Sequence, residues 1–231
     1  MPARLLVLVP TRGRPEKALE TFRSYTQTAD PNVSAIQFVI DSDDPSGPAY
    51  LAIAQTAGPA FFVQPSPGNM VAALNSAALH FATKYDYIGF VGDDHRFRTK
   101  GWDRLFVETL DREGGGLAYA NDGFWRDGEI PTQIFMSSPL IKALGWMGLP
   151  TCKHLYIDNV WRVLGEGADC LFYFPDVLIE HMHPAGGKAA WDERYRAVNS
   201  EERYSEDRAA FEAWANTASV DIEKVKRALG H

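Results

Sequence analysis

Cysteine is scarce in this chain: Cys152 and Cys170 are the only two among 231 residues. They form no Cys-x-x-Cys pair, which excludes a disulfide framework and a cysteine-built zinc site. Their apolar surroundings suit buried free thiols in a reducing compartment. A basic excess is also lacking. Lys and Arg number 23 against 30 Asp and Glu, a formal net charge of −7, so no global field draws the chain to nucleic acid or an anionic membrane. Long apolar runs are missing too. The stretch 5–9 stops at Pro10, too short for a signal-peptide core, and nothing approaches the ~18–20 apolar residues of a membrane span. A cytoplasmic protein that does not enter a membrane is expected. Neither a Walker A loop nor a G-x-G-x-x-G turn is present, so P-loop and dinucleotide readings fail. What remains is ordinary: 45% hydrophobic and 23% charged residues. That excludes disorder and coiled coil as the main state and fits one full domain, with or without a small appendage.

Short apolar runs alternate with helical patterns through the first half. Leu5–Val9, Ile36–Ile40, Phe61–Val63 and Tyr87–Val91 read as strands. Between them, helices are predicted from Pro15, over Ala49–Ala57, and along the stripe Met70, Leu74, Ala78 and Phe81. The alternation predicts βαβ units and a mostly parallel, buried sheet. The second half is less regular. Helices are expected over Trp102–Asp111, Pro139–Leu144 and Tyr156–Leu164, and strands over Leu117–Ala120, Leu171–Phe174 and Val177–His181. Charged helical sequence runs from Lys188 to the end.

Polar residues collect where the first four strands stop: Pro10 to Pro15, Asp41 to Asp44, Pro67 to Asn69, and Gly92 to His95. Open α/β sheets bind ligands at the carboxyl ends of their strands, so these four ends predict one site. Asp93-Asp94-His95 offers carboxylates and an imidazole suited to Mg²⁺ or Mn²⁺, with the imidazole favouring Mn²⁺. His181 and His183, two apart at the end of a predicted strand, would face one side and add metal ligands. Arg12 and Arg14 flank Gly13 before a helix, a setting equally consistent with phosphate contact or plain surface arginine. Asp158, among apolar and aromatic neighbours, reads equally as a general base or as a helix-terminal carboxylate. Asn121 to Trp125 places aromatics beside an amide and a carboxylate, which reads equally as a pocket for a ring-bearing ligand or as an ordinary loop around a buried Trp.

These segments together resemble the GT-A fold nucleotide-sugar glycosyltransferases, especially the large inverting family 2. LLVLVPTRGRP is similar to that family's first strand and its Pro-Thr-x-x-Arg turn, and FVIDSDD to the second strand ending in the nucleoside-holding Asp. SPGNMVAALNSAALHF resembles the donor-pocket segment, YIGFVGDDHRF the strand bearing the DxD-type metal motif, and IEHMHP the C-terminal metal-site histidine. The GDD followed by Gly101-Trp102-Asp103 looks closest to short stand-alone members from bacteriophage genomes. The resemblance covers roughly residues 4–186. It implies an α/β GT-A domain over 1–186, with a nucleotide-binding half (1–100) and an acceptor half (101–186), followed by a helical extension over 187–231.

The resemblance further implies a UDP-sugar donor and Mn²⁺ or Mg²⁺. Pro10, Thr11, Arg12 and Arg14 would border the nucleotide, Asp41 would bond the base, and Gly68 and Asn69 would line the donor pocket. Asp94, His181 and His183 would hold the metal, and Asp158 would deprotonate the acceptor. The motif here is Gly-Asp-Asp-His rather than a strict Asp-x-Asp. Asp94 is favoured as the metal ligand and Asp93 for the ribose or sugar, leaving His95 open as a stand-in for the last Asp. The acceptor could be a modified DNA base, a virion protein or a glycan. Lys188, Arg194, Arg196, Arg203 and Arg208 would supply a basic face if the interleaved acids left it free. Competing readings are a nucleotidyltransferase of similar fold and a non-catalytic sugar-binding or virion protein.

Overall fold

The computed structural model describes residues 3–125 and 128–230, with residue 194 described by its backbone alone. Leu5 to Val9 are all within 1% of complete burial, which explains their continuous apolar run: the strand is covered on both faces. Its side chains alternate. Leu6 and Leu8 enter one apolar cluster and Leu5, Val7 and Val9 the other, so a single strand seeds two cores, one on each side of the sheet.

In chain order the elements are β1 (Leu5–Pro10), α1 (Pro15–Thr26), β2 (Ser34–Asp41), α2 (Gly47–Ala57), β3 (Ala60–Gln64), α3 (Met70–Phe81), β4 (Tyr87–Phe90), β5 (His95–Phe97) and α4 (Trp102–Arg112). They continue with β6 (Leu117–Asn121), β7 (Ile134–Ser137), α5 (Ser138–Leu144), α6 (Ile157–Gly167), β8 (Leu171–His181), α7 (Glu193–Val198), α8 (Glu201–Ala215) and α9 (Ala218–Leu229). One sheet takes the order β3-β2-β1-β4-β7-β6-β8-β5. The pairings β3–β2, β2–β1 and β1–β4 are parallel. β7 enters antiparallel between β4 and β6, β8 runs parallel to β6, and β5 folds back antiparallel on β8. Residues of α1, α2 and α4 pack on one face, and residues of α3, α5 and α6 on the other.

Two strands were not predicted, β5 and β7. Each is only 3 or 4 residues long and antiparallel to a partner distant in sequence, so no local period marks it. The two strands expected over 171–181 are one strand, β8, whose register against β6 breaks at Ala120/Asn121. The charged tail is helical as expected, and its apolar side joins the main core: Trp214, Ala218 and Val225 lie with α5 and α6.

Gly89 of β4 faces Phe135 of β7, whose ring packs on Trp102 and Phe106 at 5.2 and 4.7 Å. A Cβ at Gly89 would stand 2.5 Å from that ring. The antiparallel insertion of β7 therefore depends on a missing side chain. Gly89→Ala should lower stability by about 1–3 kcal/mol, the usual cost of overpacking a dense core. The change would be read as a lower urea midpoint with an unchanged denaturant slope.

Candidate active site

The carboxyl ends of β1, β2 and β4 and the loop before α3 open on one cleft of about 370 Å³, within the ordinary range of small-molecule sites. The twelve residues that the resemblance assigns to nucleotide, metal and base all line it: Pro10, Thr11, Arg12, Arg14, Asp41, Gly68, Asn69, Asp93, Asp94, Asp158, His181 and His183. The chain brings them together because strand ends of a parallel sheet share one edge.

The floor is Asp93-Asp94. The chain turns so sharply after β4 that a Cβ at Gly92 would meet Asp94 Oδ1 at 2.5 Å, so only glycine lets the carboxylate fold back there. Asp94 Oδ1 lies 3.3 Å from His95 Nδ1, and Oδ2 lies 3.4 Å from His181 Nε2. The Tyr195 hydroxyl donates to Oδ2 at 2.8 Å. Burial would raise the pKa of Asp94, but the charge of His181 and hydrogen bonds from both histidines hold it well below the ordinary carboxylate range. Burial and the adjacent Asp94 charge push Asp93 the other way, upward, against Arg14 and Thr11. Asp93 accepts from Thr11 Oγ1 at 2.7 Å and from Arg14 Nη1 at 3.3 Å.

His95 and His181 are cross-strand partners of β5 and β8, their rings stacked 4.4 Å apart. One ligand atom each from Asp94, His95 and His181 falls within 4.8 Å of the others. That spread is close to the roughly 4.4 Å that two metal bonds of about 2.2 Å can span, so small side-chain shifts would close it on a single divalent ion. His95 Nε2 and His181 Nδ1 are buried without a partner, and an unsatisfied buried polar atom costs about 1–3 kcal/mol. One carboxylate with two imidazoles suits Mn²⁺ better than Mg²⁺. The residues therefore fit a metal.

His183 is outside this trio. β8 ends at His181, so His183 lies beyond the strand, yet both imidazoles line the same cleft. The His183 ring lies 5.1 Å from that of His181 on the cleft wall, and its Nδ1 accepts from the Ala185 N–H at 3.2 Å. His95, left open in the sequence, takes the nearer position.

Both arginines of the first turn are paired with carboxylates. Arg12 Nη1 donates to Asp41 at 3.0 Å and Asp43 at 2.6 Å. Arg14 reaches Asp93 and, at 2.7 Å, Asp192. Asp192 caps α7 and so delivers Tyr195, whose ring lies 4.1 Å from the Arg14 guanidinium carbon and 3.9 Å from Lys17 Nζ. Sequence reasoning missed Tyr195. Asp192 as a helix cap was legible, but where that helix docks was not. Asn69 caps α3 through its side-chain oxygen, which accepts from the Ala72 N–H at 2.9 Å.

Asp158 stands in the first turn of α6, half-buried on the cleft wall, and burial raises its pKa. Val160, Trp161 and Leu164 are fully buried and anchor the helix. The preceding Tyr156 holds φ at +64°, a left-handed conformation rare for a bulky residue. Upstream of it, the buried Asp207 of α8 accepts three backbone N–H bonds, from Lys153, His154 and Leu155, at 2.7–3.0 Å. Nothing in the sequence marked Asp207 for this contact.

The loop 121–125 does not line the cleft. Asn121 and Asp122 direct their oxygens to the loop's own N–H groups at Gly123, Phe124 and Trp125, and Asp122 also accepts from Thr132. The oxygens of Asn121 and Asp122 are thus taken up internally, while the Phe124 ring lies 6.3 Å from that of His181 and 5.9 Å from that of His183.

No known family's sequence profile matches the chain, and no curated protein matches it in sequence. Its structure is similar to that of the mannosyltransferase PcManGT from Pyrobaculum calidifontis in complex with GDP-Man and Mn²⁺. The TM-score is 0.67 at 14% identity, over 99% of this chain and 69% of that one. It is also similar to S. aureus TarS 1–349 in complex with UDP-GlcNAc (0.58, 14%, 90% and 70%). A third likeness is to a putative glucose-1-phosphate thymidylyltransferase from Bacillus anthracis in complex with a sucrose (0.53, 11%, 84% and 99%). At these identities the likeness is one of fold, and the fold is GT-A: an α/β sheet flanked by helices, with helices at the C-terminal end. Among the described residues no helix is long and apolar enough to cross a membrane.

Asp94→Asn and His181→Ala should each weaken Mn²⁺ binding by about tenfold or more, the scale of disturbing a ligand shell. Titration followed by the loss of the free-ion Mn²⁺ electron-spin signal measures this. Unaltered affinity in both variants would remove the trio as a metal site.

Proposed function

We propose that the chain is a metal-dependent glycosyltransferase that moves a sugar from a nucleoside diphosphate sugar, a UDP-sugar in this reading, to an acceptor hydroxyl with inversion. One observation carries the proposal: a single cleft holds a carboxylate–imidazole cluster fit for a metal and, on a separate element, the carboxylate Asp158. Both first-turn guanidinium groups already pair with carboxylates, so positive charge for a diphosphate must come from elsewhere. A bound Mn²⁺ or Mg²⁺ would supply that charge to the leaving group. Asp94, His95 and His181 would hold the ion, with His183 close by on the same wall. Thr11 and the Arg12–Asp41 pair would border the nucleotide, Gly68 and Asn69 the donor pocket, and Asp93, fixed by Thr11 and Arg14, the sugar side.

Asp158 takes the acceptor proton as the hydroxyl attacks. Its pKa is raised by burial, which brings a carboxylate nearer the basicity useful at neutral pH. The rigid helix beneath it holds the group still.

A nucleotidyltransferase is the second reading, favoured by the thymidylyltransferase likeness. Such enzymes need a free basic group after the first strand, and here Arg12 and Arg14 are both neutralised. A basic face for DNA is likewise weak. Lys188 pairs with Glu180, Arg203 with Glu206, and Arg208 donates to the Tyr156 hydroxyl. The side chain of Arg194 lies outside the described residues.

Asp158→Asn should cut turnover by about 10²–10⁴ with little change in UDP-sugar affinity. Because the base must be ionised, wild-type turnover should fall as pH drops through the raised Asp158 pKa, at a pH above that of an ordinary Asp (~3.9). The variant should lose that limb. NMR of the product gives the anomeric configuration. A product that retains the donor configuration, or near-normal turnover in the variant, removes Asp158 as an inverting base.

A further inference from the structure

Beside the cleft, one face of α8 carries Glu201, Tyr204, Ser205 and Arg208, spaced i, i+3, i+4 and i+7, and with Tyr156 these line a shallow hollow. The opposite side of α8 is committed to the fold: Asp207 holds the 153–155 backbone and Trp214 enters the core. The hollow is built rather than merely solvated. Tyr204 is 46% exposed, yet its hydroxyl donates to Asn199 at 3.4 Å, which restrains an open aromatic face. Tyr156 stacks on Phe211 at 5.7 Å and accepts from Arg208 Nε at 3.1 Å. Its left-handed backbone is the kind of local strain that persists where surrounding contacts over-determine it.

The hollow adjoins the cleft: Tyr156 lines both, and Asn199, bonded to Tyr204, lines the cleft. Asp158 follows Tyr156 by two residues, and its charge is felt at the Tyr204 hydroxyl, which burial and these neighbours push upward. The hollow holds one carboxylate, one guanidinium and the hydroxyls of Ser205 and the two tyrosines, of balanced charge. A flat apolar ring face edged by polar groups of both signs matches a neutral polyhydroxylated ring, not a polyanion.

We propose that this hollow is the acceptor subsite and that it takes a neutral sugar ring, laid on Tyr204 with its hydroxyls fixed by Glu201, Ser205 and Arg208. The proposal rests on the glycosyltransferase reading above. The seated ring presents one hydroxyl toward Asp158. The acceptor oxygen bonds to the anomeric carbon, its proton passes to Asp158, and the carbon–oxygen bond to the diphosphate breaks with its electron pair going to the diphosphate.

The probes are the methyl glycosides of glucose, galactose, mannose and N-acetylglucosamine, tested on the full chain with UDP-sugars and Mn²⁺. Saturation-transfer NMR reads binding, and UDP release reads transfer. At least one glycoside should bind and accept. Tyr204→Ala should raise its Kd and acceptor KM about five- to tenfold, the scale of one lost ring contact. Tyr204→Phe should stay within about twofold, and the donor KM should move little in either. Glu201→Gln, at the same rim, checks the effect independently of the ring. The proposal is overturned if no neutral glycoside binds, if both Tyr204→Ala and Glu201→Gln leave binding unchanged, or if only oligonucleotides or peptides accept sugar. A chain that binds a glycoside through Tyr204 but no nucleotide sugar overturns the donor reading and leaves the sugar subsite standing. A chain that binds donors but no glycoside does the reverse.

Discussion

Asp94 is a carboxylate held almost out of water at the end of a central strand, and the cleft is arranged around keeping it charged. Desolvating an anion costs several kcal/mol unless partners replace the water. Three side chains do so: His95 from β5, His181 from β8 and Tyr195 from α7. Each comes from a different element, so the antiparallel return of β5 on β8 and the docking of α7 are both tied to this one group. Gly92 permits the arrangement, because any side chain there would occupy the space that Asp94 folds into. Two histidine nitrogens remain unsatisfied beside it. One carboxylate and two imidazoles in so small a space form a donor set that a divalent cation could use.

The C-terminal segment is as much part of the site as the first strands. Asp192 bridges Arg14 and Lys17 while capping the helix that carries Tyr195. Farther on, Asp207 gathers three backbone N–H groups of the loop before Asp158. Charge-assisted bonds of this kind are about twice as strong as neutral ones, and here they join the last helices to the loop that positions the candidate base. The tail thus reaches both sides of the cleft, the metal-fitting side through Tyr195 and the Asp158 side through α8.

Pairing of charges also shapes what the cleft can bind. Arg12, Arg14, Lys188 and Arg203 each meet a carboxylate, so these four offer little free positive potential to a ligand. An anionic ligand in the cleft would then need a counter-charge from outside these side chains. The hollow on α8, with one acid and one base on its rim, carries no bias toward a charged acceptor.

Much of the architecture was written locally. The five-residue apolar run before Pro10, the polar strand ends and the helical stripe from Met70 are short-range patterns, and each set of neighbours on the chain became neighbours in the fold. Strand ends of a parallel sheet share an edge, so the convergence of Thr11, Asp41 and Asp94 on one cleft was legible without coordinates. The pairing of β5 with β8 and the insertion of β7 at Gly89 were not, since short antiparallel strands carry no period of their own and are selected by distant partners. The same limit explains the histidines. The spacing of His181 and His183 suggested one face, but where β8 stops decided that His95 and His181 stack instead. It explains the loop 121–125 too, whose polar groups turned inward to cap their own backbone. Residue type and order therefore determined which chemistry was available. Tertiary structure alone decided which atoms met, because burial, strand endings and the docking of Tyr195, Asp207 and the α8 face depend on contacts between residues as many as 178 positions apart.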